Sequence, residues 1–152
     1  MNSNEFWKLI ALVDLDALEN GDEDEALASL SSAMAAMDVS RIEAFQEQLS
    51  QVLFAIDGES YADNAGDSGT SDDCFLYARC YVVARGEDYY SRVKAKPEEM
   101  PKSIEQWCES LLYVAQNAWA TKTGSNPSEW IFDATVSYES GSNESLWRDA
   151  GA

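Results

Sequence analysis

Between residues 6 and 119, apolar side chains recur at intervals of three and four, the spacing that gathers them on one side of an α-helix. Phe6, Leu9, Ile10 and Val13 form the first such stripe, with Ser3 placed to cap it, Trp7 at its edge and Asn20-Gly21 to end it. Asp22-Glu23-Asp24-Glu25 opens a second helix, its acids suited to the positive end of the helix dipole, and Leu27, Leu30, Met34 and Met37 supply its buried face. Ser40-Arg41-Ile42-Glu43 fits a capping box for a third helix. Its Ile42, Phe45, Leu49, Val52, Leu53 and Ile56 keep the period until Asp57-Gly58 stops it. Residues 59–70 are polar and carry glycine, which predicts a loop.

The stretch from Ser71 to Gly86 differs from these amphipathic segments. Over 72–85 it is apolar on nearly every side, and Arg79 is the one charge between Asp73 and Arg85. A helix with that pattern is enclosed by protein, so the others must pack around it. Glu87 to Ala95 predicts a short amphipathic helix with Tyr89, Tyr90 and Val93 inside, followed by a basic connection through Lys94, Lys96, Pro97 and Pro101. Ser103-Ile104-Glu105-Gln106 matches a second capping box, and Ile104, Trp107, Cys108, Leu111, Leu112, Ala115, Ala118 and Trp119 make a wide stripe ending at Thr123-Gly124. From Ser125 the composition turns to Ser, Gly and Asn. Asn126-Pro127-Ser128-Glu129 suits a capped turn, Thr135-Val136-Ser137-Tyr138 carries a weak β signal, and Trp130-Ile131-Phe132 and Leu146-Trp147 are apolar islands. The expectation is an all-α domain over 1–124, with five or six helices around a central helix 72–85, and an irregular tail over 125–152 docked on it.

Composition narrows the functional classes. The 152 residues are 45% hydrophobic, enough to bury a core without staples, and no apolar run approaches the roughly 18–20 residues that span a bilayer. The opening Met-Asn-Ser-Asn-Glu lacks the basic-then-apolar order of a secretory signal. Cys74 and Cys80 would lie on different faces of one helix, so the three cysteines are expected as reduced thiols in the cytoplasm. The net charge is −18: residues 1–78 hold 17 acids against Lys8 and Arg41, whereas residues 79–152 hold 11 acids against eight bases. Such a field disfavours nucleic acid and anionic membranes and suits a basic protein partner. Solubility alone is the competing explanation.

No histidine is present, which removes the commonest general base and metal ligand together with Ser/His and Cys/His nucleophilic arrangements. There is no Cys-x-x-Cys, and Gly66 and Gly69 lack the Lys-Ser/Thr ending of a phosphate loop. Asp63, Asp67, Asp72 and Asp73 crowd one loop without the spacing of an EF-hand, so neither a metal nor a cofactor is expected. Arg79 is the sharper feature. Enclosed, its guanidinium requires a carboxylate, and Asp72 lies two turns away, about 10 Å along the axis, too far for a relaxed pair. Either an acid from another helix pairs with it and holds helices in register, or Asp72, Asp73, Tyr77, Arg79 and Tyr81 line a polar binding site. Trp107 and Trp119 fall within the stripe and suit the core, whereas Trp7, Trp130 and Trp147 are freer to anchor an interface.

Phe6-Trp7, then Asp72, Asp73, Phe75, Tyr77, Arg79 and Tyr81, then Val82-Val83 and Gly86, and finally Cys108-Glu109-Ser110-Leu111-Leu112-Tyr113-Val114-Ala115, resemble an uncharacterised bacterial family of all-helical domains of unknown function. The resemblance runs from about residue 4 to 124 and covers the tail poorly. It implies a helical fold and brings no activity; a similar module stands beside WGR-type domains, which implies an accessory or interaction role. The expected function is therefore an acidic, cytoplasmic protein-binding domain, an immunity or antitoxin-like protein that occludes a basic partner, with a DNA mimic as a subclass. Asp14, Asp16, Glu19, Asp22, Glu23, Asp24 and Glu25 are its expected contact surface. The alternative is an enzyme or small-ligand binder in which an Asp acts as base and Arg79 holds an anionic group. A buried, paired Arg79 favours the first, and an Arg79 facing a cavity favours the second.

Overall fold

In a computed structural model, described here for residues 1–147, the chain folds as α1 (Ser3–Ile10), α2 (Leu15–Glu19), α3 (Glu23–Ala35), α4 (Val39–Ala55), α5 (Glu59–Asp63), α6 (Asp72–Ala84), α7 (Glu87–Ala95) and α8 (Val114–Thr123). Short 3-10 turns cover Gly66–Thr70, Pro97–Glu99, Glu109–Tyr113 and Pro127–Glu129. No strand forms among the described residues. The architecture is all-α, and the helices enclose α6, which buries Phe75, Leu76, Ala78 and every residue from Arg79 to Ala84. Ser71 caps it by accepting from the Cys74 N–H. Around it, α3 lies along α8, α4 touches both α6 and α8, and α7 folds back on α6. Gly86 makes that reversal with φ +107°, a conformation side chains rarely adopt.

The helix expected over 3–20 is two. The chain turns between Ile10 and Leu15, where the Asp14 carboxylate caps α2 by accepting from the Asp16 and Ala17 N–H groups, and its own N–H donates to Ala26 C=O at 2.9 Å. Val13 stays buried through the turn, which is why the apolar period runs on across it. The cap of α1 is Asn2, not Ser3: Asn2 and Glu5 form a reciprocal capping box. The cap of α4 is likewise Asp38 rather than Ser40, whose hydroxyl donates to Asp38 at 2.8 Å. Burial barely reaches Asp38; the Arg41 backbone N–H and the Ser40 hydroxyl hold its carboxyl below the usual range.

Residues 59–70 are ordered instead of looped. Tyr61, Ala62, Ala65 and Ser68 are buried, the Tyr61 hydroxyl donates to Lys94 C=O and the Trp107 indole N–H donates to Ser68 Oγ. The helix expected from Ser103 begins eleven residues later. Ser103 and Gln106 only close a turn, Ile104 is exposed, and Cys108 N–H donates to Tyr77 C=O, which draws the segment off a helical path. After Gly124, left-handed at φ +70°, and the Asn126-capped turn Pro127–Glu129, the tail crosses the body without regular structure, and the weak β patch pairs with no strand among the described residues.

Candidate functional site

Asp57 lies just past the end of α4 and is fully buried. Its carboxylate accepts from Gly141 N–H and Asn143 N–H, each at 3.0 Å, and from the Trp147 indole N–H. Facing it, Arg79 has no exposed surface. One guanidinium nitrogen donates to Leu53 C=O, the other to Tyr138 C=O and Ser140 Oγ, all at 3.0 Å, and this second nitrogen lies 4.0 Å from Asp57. The guanidinium carbon sits 4.7 Å from the centre of the Phe75 ring. Burial lowers the guanidinium pKa, and the Asp57 carboxylate works against that shift. The arrangement clamps the tail onto α4 and α6. Without solvent access it offers no surface to a substrate.

The other residues expected beside Arg79 do not converge on it. Asp72 and Asp73 are exposed on the first turn of α6, and Asp72 touches the clamp only through its backbone C=O, which accepts from Ser140 Oγ. Tyr77 is half-buried, edge-on to Trp107 at 5.5 Å between ring centres. Tyr81 is buried and edge-on to Tyr89 at 6.3 Å, and the Arg85 guanidinium lies over both rings. Trp7 belongs to the core, packed on Phe6 and Tyr90 at 5.0 and 5.1 Å. Trp7 stands on α1, Asp72 and Asp73 face solvent, and Tyr77 and Tyr81 pack on aromatic neighbours, so the shared polar site read from the sequence does not form. Asp57, which the sequence reading used only as a helix stop, is the missing partner; its Asp-Gly setting gave no sign of it.

The seven acids of the expected contact surface divide into two groups. Asp14 and Asp22 cap α2 and α3, Glu19 pairs with Arg85 at 2.6 Å, and Glu23 accepts from Ser110 N–H at 2.8 Å. Asp16, Asp24 and Glu25 are exposed and have no side-chain partner among the described residues. Beside them the α1–α2 turn leaves Leu12 and Leu15 about two-fifths exposed, at 41% and 43%. Leu15 borders a groove of about 410 Å³ lined also by the apolar Trp7, Ile10 and Val13, the bases Lys8 and Arg85, and the acids Glu87 and Asp88. Reading one continuous helix hid this groove. The signal available was Leu12 and Leu15 lying off the apolar stripe, next to an Asp suited to capping.

All three cysteines are free, and burial pushes the Cys108 thiol up to about 12 and Cys80 well above the usual range. No cluster of three or more candidate metal ligands occurs among the described residues, and none of their helices is long and apolar enough to cross a membrane.

A family model described as "Protein of unknown function (DUF4240)" matches residues 1–121. The chain belongs to the DUF4240 family. No curated protein and no solved structure matches it. The DUF4240 span takes in α1 through all but the end of α8, together with the Phe-Trp pair and the Asp-Asp-to-Gly block. The groove at the α1–α2 turn lies inside it. The tail atoms that bond Asp57 and Arg79 lie outside it.

Proposed function

We propose that this DUF4240 domain binds a basic protein through the end of the molecule formed by α1, α2 and α3. The observation that carries the reading is the exposed pair Leu12 and Leu15 next to Asp16, which has no side-chain partner among the described residues. Apolar side chains at the centre of a contact provide affinity by excluding water, and surrounding charges steer the encounter and reject wrong partners. A net charge of −18 supports a cationic partner and argues against nucleic acid. An immunity or antitoxin-like role, in which this surface covers a cationic toxin, suits the size and the charge, and the free buried thiols support a cytoplasmic location. The enzyme reading built on Asp72, Asp73 and Arg79 draws no support, because the guanidinium is enclosed and its carboxylate is occupied.

The test is affinity capture from a lysate of the source organism at low and moderate salt, with the intact chain and with a Leu12→Ser/Leu15→Ser variant. One basic protein retained at both salts by the intact chain and lost by the variant is the expected result. Many basic proteins released together by salt would mean that the charge is merely adhesive, and would end this reading.

A further inference from the structure

We infer that residues 131–134, the straight run of the segment 131–138, form a docking edge on which a short, extended, basic peptide of a partner adds as a strand. The inference rests on the reading of the chain as a binder of basic proteins and supplies a second place of contact and its mode.

Exposure along this segment alternates with the period of a strand: Ile131, Asp133, Thr135 and Ser137 are exposed, whereas Phe132, Ala134, Val136 and Tyr138 are half-buried. Yet no strand lies beside it. Among the described residues, one N–H of the segment is bonded, Thr135 to Glu47 Oε1 at 2.9 Å, and one carbonyl, Tyr138 to Arg79. A groove of about 450 Å³ runs between the segment and Gln46, Ser50, Leu112 and Gln116. Every residue from Phe132 to Glu139 borders it, those facing out as well as those facing in. A groove beneath one face would touch alternate residues, so this one follows the backbone edge.

Two side chains in the groove have a buried polar atom without a partner among the described residues. Gln46 is 93% buried; its Nε2 donates to Ser50 Oγ at 3.3 Å, but its Oε1 accepts nothing. The Trp130 indole N–H is also buried and donates to nothing. An unmet acceptor and an unmet donor in one groove match the peptide group, which carries one of each. The chain bends at Thr135 and Val136, so the straight edge is residues 131–134, about 13 Å at ~3.3 Å per residue, room for a short strand. Its charged lining is Asp133 and Glu139, with no base among the described residues, which favours a Lys or Arg of the peptide beside Asp133.

The experiment is selection of a phage-displayed library of random linear peptides against the full chain, followed by synthesis of the enriched sequences. Enriched peptides should be basic and should slow amide exchange over 131–134 by about tenfold or more. Ala134→Pro, which removes an unbonded N–H from the extended edge, should weaken binding by about tenfold or more with the melting temperature unchanged. Gln46→Leu should weaken it too without lowering stability, which keeps the test decisive if the proline variant folds poorly. Failure to enrich any peptide above an unrelated control protein overturns the inference, as does equal binding to both variants or protection confined to α2 and α3. A basic protein still captured through Leu12 and Leu15 in that case would leave the proposed function standing alone. Peptides that bind an Asp24→Lys/Glu25→Lys variant as well as the intact chain would separate the two sites.

Discussion

Residues 131–137 and 138–147 cross the body of the protein one after the other, and neither forms a helix or a strand. They are held by different means. The second part is fastened through buried polar atoms: Arg79 bonds Tyr138 and Ser140, Asp57 bonds Gly141, Asn143 and Trp147, Asn143 Nδ2 donates to Phe54 C=O, and Leu146 C=O accepts from Glu59 N–H. The first part rests on half-buried side chains and on Thr135, whose N–H and hydroxyl both donate to Glu47. An irregular chain is thus ordered in one place by satisfying its backbone against a buried charge pair. In the other it is ordered mainly by side chains, with the Thr135 N–H as its one bonded main-chain group among the described residues, which leaves the rest of the backbone free for something else.

The largest test of this contrast is Asp57→Ala, which strands Arg79 without its carboxylate and frees three donors. It should cost about 3–5 kcal/mol in urea unfolding. Amides of 138–147 should then exchange as fast as those of 131–137, and a cost below about 1 kcal/mol would erase the distinction between the two parts. Next comes Arg79→Met combined with Asp57→Ala. The double variant should be at least about 1 kcal/mol less destabilised than the two single losses added together, because each single change leaves an unpaired buried charge. If the losses simply add, the two residues act on the tail independently.

Thr135→Val is a smaller change. It should cost no more than about 1 kcal/mol and loosen 131–137 while 138–147 keeps its exchange rates. The smallest effect is one of pH. Burial would raise the Glu47 pKa, but hydrogen bonds from Thr135 and Gln51 outweigh it and hold the carboxyl below the ordinary glutamate value. A depressed folded pKa means that this contact stabilises the fold above the unfolded pKa and is lost as pH falls through the folded one. The Thr135 amide resonance should therefore titrate with a midpoint under the usual glutamate range in the intact chain. It should show no such step in Glu47→Gln.

The sequence made some of this visible. The enclosure of α6 followed from the lack of any polar face, and Arg79, alone in that helix, announced that a carboxylate must come from elsewhere. Which carboxylate it was could not be read, since Asp57 stands in an Asp-Gly pair that already had a sufficient local meaning. The break between α1 and α2 was masked because Val13 remains buried on both readings. The 59–70 segment looked like a loop because its polar residues outnumber its apolar ones, yet Tyr61, Ala62 and Ala65 suffice to dock it. Composition also could not divide the tail, because what separates its parts is the reach of two side chains from α4 and α6, a matter of tertiary geometry.

The Asp57–Arg79 clamp grips the tail mostly by main-chain atoms: the Tyr138 carbonyl and the Gly141 and Asn143 amides. Nearly any amino acid supplies those atoms. The tail is therefore free to drift in sequence while its closure over the central helix is preserved. A segment that covers a buried ion pair can in this way sit outside the span by which its family is identified, and removing it at that boundary would open the pair to water.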